Sequence, residues 1–326
     1  MRNVKNNVVI RFLKNWTLPV SMTSGALSYF IGRALPLSAE TKGDIIGFIE
    51  WLQPILLFVM LFVAFCKVSP KALKPRMWHL WLILAQIVLF ATCCVMLWMF
   101  PQMGARLALE GFMLAIICPT ATACAVVTQK LGGDSATTTA YTIMINLVVA
   151  VMAPLLLPFA HPHQGLTFLS AFLIIIRKVF PLLMMPLLLA WAVRYLAPRL
   201  HGVILATRDL AFYLWAVALS LAIAITVRAL AHSDESLWHV VAIAGATLVA
   251  CIFQFAFGKW VGGKYGFRME GGQAMGQKNT IFIIWLGYTF LSPITATAGG
   301  FYSVWHNIVN SWQLYKKRKL ETRHTA

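Results

Sequence analysis

The chain has 326 residues, of which 60% are hydrophobic, with a mean hydropathy of +0.76 and a formal net charge of +17. Apolar runs of about 20 residues recur along it, which is typical of a polytopic helical membrane protein and excludes an ordinary soluble domain. Its basic residues are scattered through short loops, so the charge indicates contact with a lipid bilayer and no nucleic-acid partner.

Ten spans are predicted from the apolar runs, all within one membrane domain over residues 1–326. They lie near residues 17–35, 45–66, 77–99, 107–130, 135–159, 167–193, 209–231, 237–258, 270–291 and 293–315. Residues 316–326 form a basic tail. The sixth span has a second interpretation, a short interfacial helix with Arg177 and Lys178 followed by a span from Phe180.

Most Lys and Arg residues fall on one side if the N-terminus is placed in the cytoplasm. Cytoplasmic loops of membrane proteins carry such an excess of positive charge. We therefore expect a multi-pass protein of the bacterial inner membrane with both termini cytoplasmic.

Lys278 is the one basic residue that this prediction places at bilayer depth. It lies in the polar run Gln277-Lys278-Asn279-Thr280, directly after Gly276, inside an apolar stretch. A charged side chain there costs roughly 2.5–3.5 kcal/mol on insertion scales, so it indicates a functional site. Cys118-Pro119-Thr120 interrupts the fourth span in a similar way.

Breaks in spans four and nine suggest two five-helix repeats of opposite topology, residues 17–159 and 167–315. Gln86 in span three and Gln254 in span eight recur at the same offset, each alone among apolar residues. A broken helix exposes backbone N–H groups and a partial positive charge at the start of its second half. Two such ends near the membrane midplane favour an anionic ligand.

Two regions resemble the bile acid:sodium symporter family. Its fourth and fifth helices are similar to Cys118-Pro119-Thr120-Ala121-Thr122-Ala123, Gly132-Gly133-Asp134 and Ala153-Pro154-Leu155-Leu156-Leu157-Pro158. Its ninth and tenth helices are similar to Gly276-x-x-Asn279-Thr280 and Phe301-Tyr302-Ser303-Val304-Trp305-His306-Asn307.

The resemblance implies an all-α fold of ten transmembrane helices in two inverted repeats, with helices 4 and 9 broken and crossing. A panel domain (spans one, two, six and seven) would face a core domain, and substrate would bind between them. Thr122 and Asn279 occupy positions that match the family's substrate contacts. Thr120, Lys278 and Thr280 complete the predicted substrate-binding set.

Relatives bind two sodium ions, and part of that pattern is present here. Gln86, Thr138 and Thr142 fit it, whereas Cys124 begins a Cys-Ala pair where relatives carry Ser-Asn.

The ninth span departs further from the family pattern. Lys278 replaces a Gln, and Ala274 stands where the shared sodium-binding Glu is expected. An alternative register would align Glu270 with that Glu, but it would unmatch Gly276 and Asn279. Glu270, like Glu110, lies near a span end and is interpreted as interfacial. These departures predict a degenerate ion site in which the Lys278 ammonium takes the place of sodium.

We therefore predict a transporter of a small organic anion that works by alternating access without sodium, is not an enzyme, and has no cofactor or metal. Lys278 would be its internal cation and a candidate proton-coupling site. The alternatives are a non-transporting membrane sensor of the same fold and a sodium-coupled bile-acid-like symporter. An arsenite-type exporter is disfavoured, because such proteins carry a cysteine where Thr120 stands. Substrate identity, transport direction and oligomeric state are left open.

Overall fold

The computed structural model describes residues 17–70, 74–162, 165–207 and 210–325, and within these ranges all regular elements are α-helices. The helices are α1 (Thr17–Ala34), α2 (Ala39–Cys66), α3 (Met77–Met99), α4 (Arg106–Ile117), α5 (Cys124–Lys130), α6 (Ser135–Ala160), α7 (Phe168–Leu196), α8 (Pro198–Ala206), α9 (Leu210–Ala231), α10 (Leu237–Lys264), α11 (Arg268–Gly276), α12 (Thr280–Phe290) and α13 (Pro293–Thr325). Within the described ranges, α2, α3, α6, α7, α9 and α10 are long and apolar enough to cross a membrane. The chain is a multi-pass membrane protein.

The two predicted interruptions are present. Residues 118–123 separate α4 from α5, and residues 277–279 separate α11 from α12. These four helices have 12, 7, 9 and 11 residues. Since a membrane span needs about 20 residues, none of the four is long enough to cross a membrane alone.

The alternative interpretation of the sixth span is wrong. α7 is one uninterrupted helix of 29 residues, although Pro181 and Pro186 lie inside it. Lys178 follows the first residue of α7 by ten positions, about 15 Å along the axis, so it does not lie in a separate interfacial helix. Its side chain lines a cavity that is described below.

The last helix runs past residue 315, near which the tenth predicted span ends. α13 continues through Thr325, so the basic tail predicted at residues 316–326 extends the last helix as far as the structure describes it. The six cysteines are buried free thiols.

The helices pack in two groups. α1, α2, α7 and α9 pack against one another through the pairs α1–α9, α2–α7 and α2–α9. The other group contains both broken pairs: α10 packs on α11, α4 and α13, α3 packs on α4 and α6, and α12 packs on α13. Contacts of α7 with α6, and of α9 with α13 and α12, join the groups.

α10 and α11 pack with their backbones almost in contact. A Cβ atom on Gly258 would lie 2.2 Å from the Gly271 carbonyl oxygen, and one on Gly262 would lie 2.2 Å from the Phe267 carbonyl oxygen. Such an approach requires glycine at positions 258 and 262, since small residues let helix backbones come close in membranes. It fixes α11, and therefore the start of the second break, against the long helix α10.

Candidate functional site

The two breaks lie side by side and are joined through their backbones. Thr120 and Lys278 form an isolated antiparallel bridge. The Ala121 N–H donates to the Gln277 carbonyl at 2.8 Å, and the Asn279 N–H donates to the Pro119 carbonyl at 2.9 Å. Each break therefore provides hydrogen-bond partners for backbone groups of the other break, which would otherwise lack them at membrane depth.

Side chains reinforce this pairing. The Thr120 hydroxyl donates to the Ala274 carbonyl at 2.6 Å, and the Cys118 thiol donates to the Asn279 carbonyl at 2.9 Å. The Asn279 side chain accepts from the Phe282 N–H at 3.4 Å and caps α12. These contacts give Thr120 and Asn279 structural roles within the break, whatever else they bind.

Lys278 lies at the centre of this arrangement with 0% of its surface exposed. Its Nζ donates to Gln86 Oε1 at 3.0 Å and to the Ile116 carbonyl at 3.3 Å. The ammonium therefore rests on oxygen atoms of α3 and α4, opposite its own broken helix. Among the residues that the structure describes, no ion pair includes Lys278.

Gln86 forms hydrogen bonds through both ends of its side-chain amide, and these bonds hold the Lys278 ammonium in place. Its Nε2 donates to the carbonyls of Ile117 and Cys118 at 3.1 and 3.2 Å. Its Oε1 accepts from Lys278 and also from the Tyr141 hydroxyl at 3.3 Å. Since the donating end is fixed on the last carbonyls of α4, the oxygen can only point toward the ammonium.

The other residues predicted for the ion site are less closely linked to Lys278. The hydroxyls of Thr138 and Thr142 donate to the Ser135 and Thr138 carbonyls of their own helix. Cys124 is buried at the start of α5, and its Sγ lies 4.0 Å from Thr128 Oγ1.

Thr122 and Thr280 flank the two breaks. Thr122 is half-buried between α4 and α5, and Thr280 is the first residue of α12. The structure thus places the predicted residues around the paired breaks. In the described part of the chain, Gln86 is the only predicted ion-site side chain that is hydrogen-bonded to the Lys278 ammonium.

Both carboxylates interpreted as interfacial are buried. Glu270 is 7% exposed and accepts from the Asp134 N–H at 2.6 Å, at the entry to α6. Glu110 is 1% exposed, 3.0 Å from Arg106 Nε, and accepts from the Thr295 hydroxyl at 2.8 Å. Arg106 lies one turn before Glu110 on α4, but Asp134 and Thr295 are far from their partners in the chain, so the sequence did not reveal the contacts with them.

A cavity of about 510 Å³ opens between α2, α7 and α12, away from the breaks. It is lined by Glu50, Gln53, Pro54, Lys178, Leu182, Trp285, Tyr288 and Thr289. None of these residues was predicted as part of a site. A signal was present in the sequence, since Gln53 and Lys178 interrupt apolar stretches, but an interfacial position explained Lys178 equally well.

Comparison with protein families identifies the family of this chain. The sequence profile described as Sodium Bile acid symporter family matches residues 54–239, more than half of the chain. The chain belongs to this family. A comparison with individually curated proteins gave no match.

Family membership establishes the broad function. Members of the sodium bile acid symporter family are membrane transporters and not enzymes, and the apolar helices of this chain agree with that role. The matched residues include Gln86 and the first break but end before Lys278. The family therefore gives the kind of protein, whereas the role of Lys278 has to be argued from its own contacts.

The contact between Gln86 and Lys278 predicts a specific coupling in stability. Gln86→Leu leaves the ammonium and two carbonyls without their side-chain partner, and we expect a loss of about 1.5–3 kcal/mol. Lys278→Met removes the buried charge, so the double variant should recover part of that loss. Thermal unfolding in detergent measures the cycle.

Gln254→Leu is the matched control. Gln254 donates to the Ala115 carbonyl and to the Tyr302 hydroxyl but not to Lys278. Lys278→Met should not rescue it. If the effects of Gln86→Leu and Lys278→Met simply add, the two side chains are not coupled.

Proposed function

We propose that this member of the sodium bile acid symporter family transports a small organic anion without sodium, with Lys278 as its internal cation. The observation that carries the proposal is the fully buried Lys278 ammonium bound to Gln86 between the two breaks. Gln86 fits the sodium-binding pattern of relatives, so an ammonium on its oxygen supplies the charge that an ion would otherwise bring. The residue four positions before Lys278 is Ala274, which adds no negative charge.

Electrostatics favours an anion at this place. α5 and α12 both begin at the paired breaks, and the N-terminus of each helix carries a partial positive charge. Lys278 adds a full positive charge when it is protonated. A carboxylate bound near these groups gains attraction that an amine or a neutral solute does not.

Repeat-related contacts support the ten-span inverted-repeat architecture. Tyr141 bonds to Gln86, and Tyr302 bonds to Gln254, so each repeat places a tyrosine against its lone glutamine. Asn146 and Asn307 complete the pattern, as each donates to the carbonyl four residues earlier in its helix.

The two packing groups support the panel and core assignment. The group of α1, α2, α7 and α9 corresponds to spans one, two, six and seven, and the other group contains both breaks. Alternating access would then be a movement of one group against the other, in the bacterial inner membrane with both termini cytoplasmic.

Matched pairs of acids and amides test the proposal. A thermal-shift screen on the purified protein compares each carboxylic acid with its uncharged amide, and the most stabilising acid is then labelled for uptake into proteoliposomes. We expect acids to stabilise the protein and to be taken up, while amides do neither. Equal binding of an acid and its amide would contradict the anion preference, and binding without flux would indicate a sensor.

A further inference from the structure

We infer that four basic residues at one end of the helix bundle form a binding site for the headgroup of an anionic phospholipid. These residues, which we call the basic corner, are Lys259 and Lys264 of α10, Arg268 of α11 and Lys316 of α13. The site lies apart from the paired breaks, and its role goes beyond the proposed transport function.

Two hydrogen bonds set the register of α11 against α13. The Tyr302 hydroxyl donates to the Gly276 carbonyl at 2.8 Å, and the Gln273 amide donates to Asn310 Oδ1 at 3.0 Å. The numbers rise along α13 while they fall along α11, so the two helices run in opposite directions. Residues that precede Gln273 and residues that follow Asn310 therefore approach the same end of the bundle.

Lys259 of α10 reaches that end across α11. Its aliphatic stem lies over Gly272, where a Cβ atom would be 2.5 Å from Lys259 Cγ. Arg268 precedes Gly272 by four residues and is its neighbour on the same face of α11. The positive charges of Arg268 and Lys316 both repel the Lys259 ammonium. Glycine at position 272 thus lets Lys259 join cations of two other helices.

No carboxylate neutralises the basic corner in the part of the chain that the structure describes, since none of the ion pairs there includes one of its four residues. The carboxylate nearest in sequence, that of Glu270, accepts from the Asp134 N–H at the entry to α6. Like charges in a small volume repel one another, and an anion among them is attracted by all of them. The basic corner therefore favours an anionic ligand.

Two exposed tryptophans indicate the depth of the basic corner in the membrane. Lys264 Nζ lies 3.8 Å from the centre of the Trp260 ring, and Lys316 Nζ lies 5.3 Å from the centre of the Trp312 ring. Tryptophan is enriched at the level of the lipid headgroups. Ammonium groups stacked on these rings therefore lie where lipid phosphates are found.

Apolar surface beside the basic corner favours a lipid over a free anion. Val249, Ile252 and Trp260 are exposed on α10. Val249 precedes Trp260 by eleven residues, about 16 Å along the helix axis toward the middle of the membrane. Acyl chains can pack along this surface, whereas inorganic phosphate has no group to place there.

Gln313 is a second, independent indication of a ligand. Its side chain is buried, and neither end of its amide has a hydrogen-bond partner within the described residues. Unpartnered buried amides are rare in native proteins. Gln313 precedes Lys316 by three residues, so the two are neighbours on α13. A phosphate oxygen or glycerol hydroxyl bound beside Lys316 would be a partner for this amide.

The number of charges selects among anionic lipids. Four cations without an acidic partner suit a headgroup with two phosphates, as in cardiolipin, better than the single phosphate of phosphatidylglycerol. Each basic residue near a membrane surface strengthens the binding of anionic lipid by about fivefold. We therefore expect one cardiolipin per chain at this site.

Native mass spectrometry of the full-length protein in detergent measures lipid binding directly. Cardiolipin should bind about tenfold more tightly than phosphatidylglycerol, and phosphatidylcholine should show no saturable binding. Equal binding of cardiolipin and phosphatidylcholine would overturn the site. Inorganic phosphate at the concentration of the lipid should not displace cardiolipin. Displacement would show that the occupant is a free anion and would also overturn the inference.

Charge variants identify the residues responsible. Lys259→Gln combined with Arg268→Gln should weaken cardiolipin binding by about twenty-five-fold. Lys67→Gln combined with Arg199→Gln is the matched control, because these exposed residues adjoin α2 and α8 in the other packing group. The control should bind within about twofold of the wild type. Equal weakening in both double variants would show that only net charge matters and would reject the site.

A variant that keeps every charge tests the geometry. Gly272→Ala would displace the Lys259 stem, and we expect cardiolipin binding to weaken by about fivefold. Gly263→Ala is the matched control, since the nearest atom to its Cβ would be Arg268 Cβ at 3.8 Å, an ordinary contact. Thermal unfolding verifies that both variants are folded. Wild-type affinity in a folded Gly272→Ala variant would contradict the arrangement of cations inferred here.

Discussion

Replacing sodium by choline on both sides of the membrane should leave substrate uptake by this protein unchanged. An ammonium offers hydrogen-bond donors but no oxygen ligand, and Lys278 already occupies the Gln86 oxygen. A unit positive charge about 4 Å from a sodium ion, at an effective dielectric constant near 20, repels it by about 4 kcal/mol. That corresponds to nearly a thousandfold loss of sodium affinity.

A double variant tests the converse, a gain of sodium dependence. Lys278→Gln removes the competing charge, and adding Ala274→Glu introduces a carboxylate four residues earlier in the same segment. The double variant should gain a weak sodium dependence that the wild type lacks. Uptake by the wild type that falls when lithium or choline replaces sodium would refute the internal-cation interpretation.

An imposed pH gradient should drive uptake by the wild type but not by Lys278→Arg. A buried amine can release and regain its proton during the cycle, whereas a guanidinium remains charged. If one proton accompanies each substrate molecule, one pH unit supplies about 1.4 kcal/mol, or up to tenfold accumulation. Uptake into proteoliposomes with the pH set separately on each side measures the effect.

The exchange activity of Lys278→Arg provides the control. Exchange of substrate at equal pH on both sides requires movement of the loaded carrier but no net proton transfer. Lys278→Arg should retain part of this exchange while it loses the response to the gradient. Gradient-independent uptake by the wild type would exclude proton coupling and leave a uniporter with a built-in cation.

The sequence predicted the breaks and the residues around them because their signals are local. Pro119 cannot continue a helical hydrogen-bond ladder, and Gly276 followed by polar residues weakens one. A lysine inside an apolar stretch is visible in any window of about 20 residues. The pairing of Lys278 with Gln86 could be anticipated because the resemblance to a family placed both residues in one site.

Other contacts could not be predicted from the sequence because they join residues that are far apart in the chain. The bond from Asp134 N–H to Glu270 spans 136 positions, and that from Thr295 to Glu110 spans 185. Position near a span end therefore suggested an interface for both carboxylates, whereas packing of the helices buries them. Lys178 was misjudged for the same reason, since nothing local to α7 shows that a cavity faces it.

The sequence by itself determined that this protein is a helical membrane protein with two interruptions between short helices and a lysine at one of them. Those properties follow from hydropathy, proline, glycine and isolated charge, which act within a few turns of helix. Only the tertiary structure decided that the two breaks join through backbone hydrogen bonds and that the Lys278 ammonium rests on Gln86. It also decided that a second lysine, Lys178, faces a cavity, because the packing of three helices determines what each side chain meets.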